Sequence, residues 1–302
     1  MSPAAGPLAS SPSAQNPPNG AGSSSLTPTQ DKRSRGRLSA RQLAAIEGQL
    51  SDRDRQALAA VSRFRVMSGA QLQALLWSQI APSARGRVAR RGLARLVRLD
   101  VLQPLARRVG GERAGSASTT FAVGRAGQYL TQAGSRSRRR VRTARTPGVR
   151  FLAHTLAVAG LYVELVVAAR DGSVELLSFE PEPECWRPYM VGFGARQVLK
   201  PDAFLELATA EYELSWFIEV DLATEALSTL AAKARRYHDY FGTGTEQAAR
   251  GMFPRVLWIV PDPARAEAVR EALAQLPSDA RRLFAVTTPD RALALLTSEA
   301  RP

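Results

Sequence analysis

Apolar positions along this chain switch period near residue 149. From 39 to 132 they come in short helical blocks. Asp52–Phe64 (DRDRQALAAVSRF) has an acidic first turn and apolar residues at 58, 61 and 64, which predicts a helix. Ser68 is placed as the N-cap of a second short helix running to Trp77. A third starts at Pro82-Ser83 and keeps Val88, Leu93, Leu96, Val97 and Leu99 broadly on one side. Two short strands, Val101–Leu105 and Thr119–Val123, flank a Gly/Ser tip around Gly110-Gly111, and Arg125–Thr131 predicts one more helix. Residues 134–148 have no apolar periodicity. Beyond them, Phe151–Arg170 is a strongly apolar helix, followed by strands at 174–180, 200–207 and 213–221, a helix at 225–241, a strand at 255–260, a helix at 263–275, a strand at 283–287 and a last short helix after Asp290. The order is αβββαβαβ, a mixed α/β sandwich in which 200–207 and 213–221 pair as a hairpin.

Three helices and a β-hairpin, the third helix rich in arginine, is winged helix-turn-helix architecture. The chain therefore reads as an α/β protein of two domains. A Pro/Ser/Ala/Gly tail at 1–38 is expected to be disordered. A winged helix-turn-helix follows at 39–132, then a basic linker at 133–148, then a mixed-sheet domain at 149–302.

Charge sharpens this division. Residues 1–150 carry 26 Lys and Arg against 6 Asp and Glu, a net charge of +20, whereas 151–302 carry 15 against 21. A GC-rich genome explains 38 arginines against three lysines, but not their concentration in one half. A cationic half implies a polyanionic partner, and double-stranded DNA is the one expected. Arg85, Arg87, Arg90, Arg91 and Arg95 of the third helix are the candidate DNA contacts, because guanidinium groups bond phosphates and guanine edges bidentately. Replication proteins or a second copy of the chain are further partners considered. The bland alternative is a protein-interaction winged helix whose arginines are only a solvated face. The cluster Lys32, Arg33, Arg35, Arg37 and the segment 134–148 are either further phosphate contacts or solubilising charge.

A single cysteine, Cys185, excludes an intrachain disulfide and a Cys-rich zinc site, and two histidines leave little for a His-based one. No stretch of 18 or more apolar residues and no secretory leader is read, so no membrane is expected and the cytoplasm is the default location.

The candidate chemistry lies in the second half. Asp202 follows Pro201 at the mouth of one strand, and Glu219 and Asp221 are two apart on the next, so their side chains leave one face. Lys233 comes two turns into the following helix. Three carboxylates and an ammonium at one edge suit Mg²⁺ or Mn²⁺ held against a phosphodiester. Asp202, Glu219 and Asp221 are the expected metal ligands and Lys233 the charge stabiliser. His154 reads as a hydrogen-bonded core histidine or a phosphate contact. Tyr237, His238 and Tyr240 read as packing and rim groups, with a tyrosine nucleophile the lesser alternative because neither a histidine-rich metal site nor an Arg/His catalytic set accompanies it, and Trp186, Trp216 and Trp258 read as core.

These residues resemble the PD-(D/E)XK nuclease superfamily, whose core is αβββαβ with Asp on one strand and (Asp/Glu)-X-Lys on the next. Pro201-Asp202 and Glu219 match; Asp221 stands where the lysine is expected, and Lys233 is the candidate to replace it from the helix. The resemblance also implies an acidic residue on the first core helix, for which Glu164 is the candidate. More narrowly, the segments RAGQYL, FLAHTLAVAGLYVEL, LKPDAFLEL, FIEVDLATE and KARRYHDYF are similar to the replication-relaxation proteins of actinobacterial plasmids and integrative elements. That resemblance, over roughly residues 40–290, implies a DNA-binding protein of plasmid replication or DNA relaxation. Two readings stand side by side: a Mg²⁺-dependent endonuclease or nickase, and a non-catalytic winged-helix regulator on a degenerate nuclease-like scaffold.

Overall fold

Three serines set the starts of the first three helices in the computed structural model, which describes residues 38–105, 119–132, 141, 147–172, 174–191 and 194–298. Ser39, Ser51 and Ser68 cap α1 (Ala40–Glu47), α2 (Asp52–Phe64) and α3 (Gly69–Leu76), each in a capping box with Gln42, Asp54 or Gln71. Pro82 starts α4 (Pro82–Arg98), where a missing N–H costs nothing. Three short strands, β1 (Val66–Ser68), β2 (Leu102–Pro104) and β3 (Thr120–Val123), pair antiparallel in the order β1-β3-β2, and α5 (Arg125–Thr131) follows. The predicted helices at 52–64, 69–77, 82 onward and 125–131 are all present. Two elements were not predicted. The amphipathic reading passes over α1 because it buries no residue, and three-residue β1 shows only through its partner β3. The basic cluster at 32–37, the Gly110-Gly111 tip and most of 134–148 lie outside the described residues.

The second half begins with α6 (Val149–Ala168), extended by a 3₁₀ turn at Ala169–Asp171. Five strands follow in one mixed sheet: β4 (Glu175–Pro181), β7 (Ala203–Ala208), β8 (Glu213–Val220), β9 (Arg255–Ile259) and β10 (Phe284–Thr287), in the order β10-β9-β8-β7-β4. β4, β7 and β8 are antiparallel neighbours, whereas β9 and β10 join in parallel after helical crossovers. These crossovers contain α7 (Leu227–Phe241), α8 (Thr245–Arg250), α9 (Pro263–Leu273) and α10 (Ser278–Arg281), and α11 (Pro289–Thr297) ends the described chain. The expected order αβββαβαβ is interrupted by a separate antiparallel hairpin, β5 (Arg187–Val191) and β6 (Ala195–Leu199), between β4 and β7.

Strand alternation sorts the core. Trp216, Ile218 and Val220 of β8 face α6 and α11, while Phe217 faces α7 and α9 together with Phe204, Val256 and Trp258. The first of these clusters does not stop at the sheet. Through Val158, Leu161 and Leu165 of α6 it continues into Leu58, Phe64, Leu72 and Leu96 of the N-terminal helices. Phe64, Tyr162 and Phe179 meet at ring separations of 5.0, 5.2 and 5.9 Å across this junction. The Gln71 side chain donates to the Leu156 carbonyl at 2.7 Å, and Arg170 donates to the carbonyls of Ala74 and Leu75 that end α3. Residues from Leu38 onward accordingly fall in one compact unit.

α6 with its 3₁₀ extension bears on the membrane expectation without deciding it. Although interrupted by polar residues, Val149–Asp171 is long and apolar enough to cross a membrane by length and composition. In this fold it packs on α3, β1, β4, β8 and α11.

Candidate functional site

Pairing of β7 with β8 decides where the acidic residues go. Ala203 lies opposite Ile218, so Asp202 falls beside Glu219; its amide donates to the Ile218 carbonyl at 3.0 Å, and its carboxylate accepts from the Val220 amide at 2.7 Å. Lys233 of α7 reaches back over the sheet and forms an ion pair with Glu219. Tyr237, one turn further along the same helix face, donates its hydroxyl to the other Glu219 oxygen at 2.6 Å. His154 of α6 bonds Asp202 through Nε2 at 3.0 Å. The predicted neighbours Asp202, Glu219 and Lys233 thus share one cleft of about 420 Å³ with His154, Asp221, Arg150, Phe151, Glu182, Glu225 and Trp258 on its walls.

Asp221 departs from the expectation. It leaves the same face as Glu219, but a two-residue step of about 6.6 Å carries it past α7 to α9. There Arg265 Nε bonds its Oδ2 at 2.6 Å, while the Ala223 amide bonds Oδ1 at 2.8 Å. Arg265 also donates to the Glu225 carbonyl at 2.7 Å, closing the turn after β8, where Ala223 takes a left-handed φ of 56°.

The electrostatics follow from burial and pairing. Glu219 is 1% exposed, and burial pushes its carboxyl up to about 8 against the pull of Lys233 and Tyr237. Burial alone would lower the Lys233 ammonium, but Glu219 and Asp202 hold it protonated above the usual lysine range. Burial also opposes the Asp202 charge, yet the His154 hydrogen bond and the nearby Lys233 keep its pKa below the ordinary value. In return, the bond to Asp202 raises His154 despite its partial burial.

This donor set does not fit the divalent-metal triad expected of Asp202, Glu219 and Asp221. Both oxygens of Glu219 and both of Asp221 already accept from protein donors, with Lys233 and Arg265 supplying the positive charge. Among the described residues, no group of three or more His, Cys, Asp and Glu side chains is arranged to hold a metal ion. Glu164 is also away from the site. It is exposed on α6, ten residues (about 15 Å of helix) beyond His154, and does not line the cleft.

Trp216 and Trp258 are core residues, whereas Trp186 is only partly buried. Tyr237 and Tyr240 are buried, and His238 bonds Asp279 at 3.1 Å. Sequence reading missed Tyr237 as a partner of Glu219, although its spacing of four from Lys233 was a usable signal. It also missed Arg265, for which no local signal exists.

The predicted DNA-contacting arginines separate into two groups. Arg87, Arg90 and Arg91 are exposed on one face of α4 and form no bonds within the described chain. Arg85 and Arg95 are instead occupied internally. Arg85 donates to the carbonyls of Ile80 and Ser78 at 3.1 and 2.9 Å, and Arg95 pairs with buried Asp54 and donates to the Gln49 carbonyl at 3.0 Å.

Compared with known proteins, the chain matches the family model described as replication-relaxation over residues 58–256. That span runs from α2 to β9 and takes in Asp202, Glu219, Asp221 and Lys233, but stops short of Arg265. No curated protein and no solved structure matches the chain.

Proposed function

Since the chain belongs to the replication-relaxation family, we propose that it is a duplex-DNA-binding protein of plasmid or mobile-element replication, working without catalysis on a nuclease-like scaffold. The observation that carries the DNA half is the unbonded arginine face of α4: Arg87, Arg90 and Arg91 at spacings of three and four, on the helix after α3 and ahead of the β2–β3 hairpin. In the winged-helix reading, α4 enters the major groove and its guanidinium groups meet phosphates and guanine edges. The non-catalytic half is supported by the cleft, where Lys233 and Arg265 compensate the acidic side chains from within the protein.

The test is duplex binding across a salt series. Log affinity should fall linearly with log salt, and replacing Arg87, Arg90 and Arg91 together by Ala should flatten that slope by roughly 0.9 for each arginine that meets a phosphate. An unchanged slope removes α4 from the interface, and a flat dependence in the parent protein favours a protein-interaction adaptor.

A second reading, a Mg²⁺- or Mn²⁺-dependent nuclease or nickase, has the meeting of Asp202, Glu219 and Lys233 in its favour. Nicking of supercoiled plasmid that needs the added cation and disappears in Asp202→Ala would establish it over the first.

A further inference from the structure

An exposed aromatic ring at the mouth of a charged cleft calls for an occupant. Phe151, near the start of α6, is 40% exposed, which is unusual for a large apolar side chain lining a pocket rather than scattered on a surface. The guanidinium of Arg65 lies 6.0 Å from its ring centre. Arg65 is itself held by Glu182 at 3.1 Å and takes a left-handed φ of 66° at the end of α2, a conformation that costs a non-glycine residue energy and persists where surrounding structure enforces it. Arg150, next to Phe151, is exposed, lines the same cleft and has no bonded partner among the described residues. On the inner wall, Lys233 has three N–H donors, of which Glu219 takes one.

Such a site offers a flat apolar surface with cations beside and behind it. Its volume of about 420 Å³ is that of a small-molecule pocket. A duplex keeps its bases stacked and paired inside, and so presents none to a ring at the rim of such a cavity; an unpaired nucleotide does. Four acidic groups on the walls, Glu182, Asp202, Glu219 and Asp221, are paired with Arg65, His154, Lys233 and Arg265, while Glu225 has no ion pair among the described residues; Arg150 and the spare Lys233 donors are the cationic groups facing a single phosphodiester.

We propose that this cleft binds one unpaired nucleotide of single-stranded DNA, with its base stacked on Phe151 and its phosphate held between Arg150 and Lys233. The proposal rests on the reading of the chain as DNA-binding given above and adds a second, single-strand site separate from the α4 face. Aromatic stacking is sequence-tolerant, so the site takes any base.

Fluorescence anisotropy with the full chain tests it, using labelled oligo-dT as the single strand and a labelled mixed-sequence duplex. Phe151→Ala is expected to weaken oligo-dT binding about tenfold or more while leaving the duplex unaffected. Phe151→Trp, which keeps a stacking surface, should bind oligo-dT as the parent does. Replacing Arg87, Arg90 and Arg91 by Ala should do the reverse, weakening the duplex alone. If the parent fails to bind oligo-dT, if Phe151→Ala binds it unchanged, or if the Ala and Trp variants lose it equally, the proposal is overturned. A parent protein that binds oligo-dT but not the duplex, or a triple Arg variant that binds the duplex unchanged, would instead count against the α4 reading and leave this one standing.

Discussion

Glu219 shows at the scale of one residue why the site has to be read as a set of pairs. Its carboxyl is 1% exposed and is bonded by both Lys233 and Tyr237. Above about pH 8, where the Glu219 carboxyl is ionised in the parent, removing the ammonium leaves a buried acid without its charge partner, so Lys233→Met should cost about 3–5 kcal/mol in urea unfolding at pH 9. The double change Lys233→Met with Glu219→Gln should recover most of that, because no charge is then stranded. The His154–Asp202 pair sets a pH window. Asp202 sits below its ordinary 3.8 in the folded protein, so its contribution is present above 3.8 and is lost as acid takes the pH down through the folded value. His154 sits above its ordinary 6.5, so its contribution is present below 6.5 and is lost as the pH rises through the folded value. The pair therefore stabilises most between 3.8 and 6.5. Unfolding measured across a pH series should show an alkaline loss in the parent that is absent in His154→Gln. The meeting of Asp202 with Glu219 was readable in advance, since strand pairing and a period of two require it. The diversion of Asp221 was not, because Arg265 lies 44 residues further on.

Elements were legible where an apolar stripe marked them; α1 has the Ser39 capping box but buries no stripe and was passed over, and β1 shows only through its partner β3. α5 was predicted over its whole length, yet what fixes it against the β2 region is the absence of a side chain. A Cβ on Gly127 would lie 2.3 Å from the Val101 carbonyl oxygen and 2.8 Å from Val123. Gly160, in the middle of α6, has only the Gln71 amide nitrogen at 3.5 Å, an ordinary contact. The same substitution should therefore have opposite signs at the two sites. Gly160→Ala should gain up to about 1 kcal/mol from helix propensity. Gly127→Ala should lose about 1–3 kcal/mol or more, because backbone must move to admit the methyl. Thermal unfolding of the two variants checks both signs. In α4 the arginine pattern located a cationic face but could not separate exposed Arg87, Arg90 and Arg91 from Arg85 and Arg95, whose acceptors are set by the preceding turn and by α2.

Across the whole molecule, the N-terminal helices and the sheet share the α6 core rather than meeting only through a linker. Phe64, Tyr162 and Phe179 lock α2, α6 and β4 together, and Gln71 and Arg170 tie α3 to α6 and the turn after it. A shared core unfolds cooperatively. Amide hydrogen exchange under increasing denaturant should therefore deprotect α3 and β7 together, and Leu165→Ala, at a fully buried α6 position, should lower the stability of both. Separate exchange transitions for the two regions would contradict this arrangement. The same packing gives α6 its meaning: its apolar length satisfies a membrane criterion, while its contacts supply partners on both sides.

Consecutive residues alone were enough to place the helices with apolar stripes, the strands of the sheet, an arginine-rich α4, and Asp202 beside Glu219. Each of these is carried by a local period, a cap or a turn, and such signals are written in consecutive residues. Long-range packing selected which cation meets which carboxylate, which arginines remain unbonded, and that the Arg65 guanidinium lies against the Phe151 ring. Those outcomes depend on contacts between segments far apart in the chain, where many pairings satisfy the same local pattern and packing selects one.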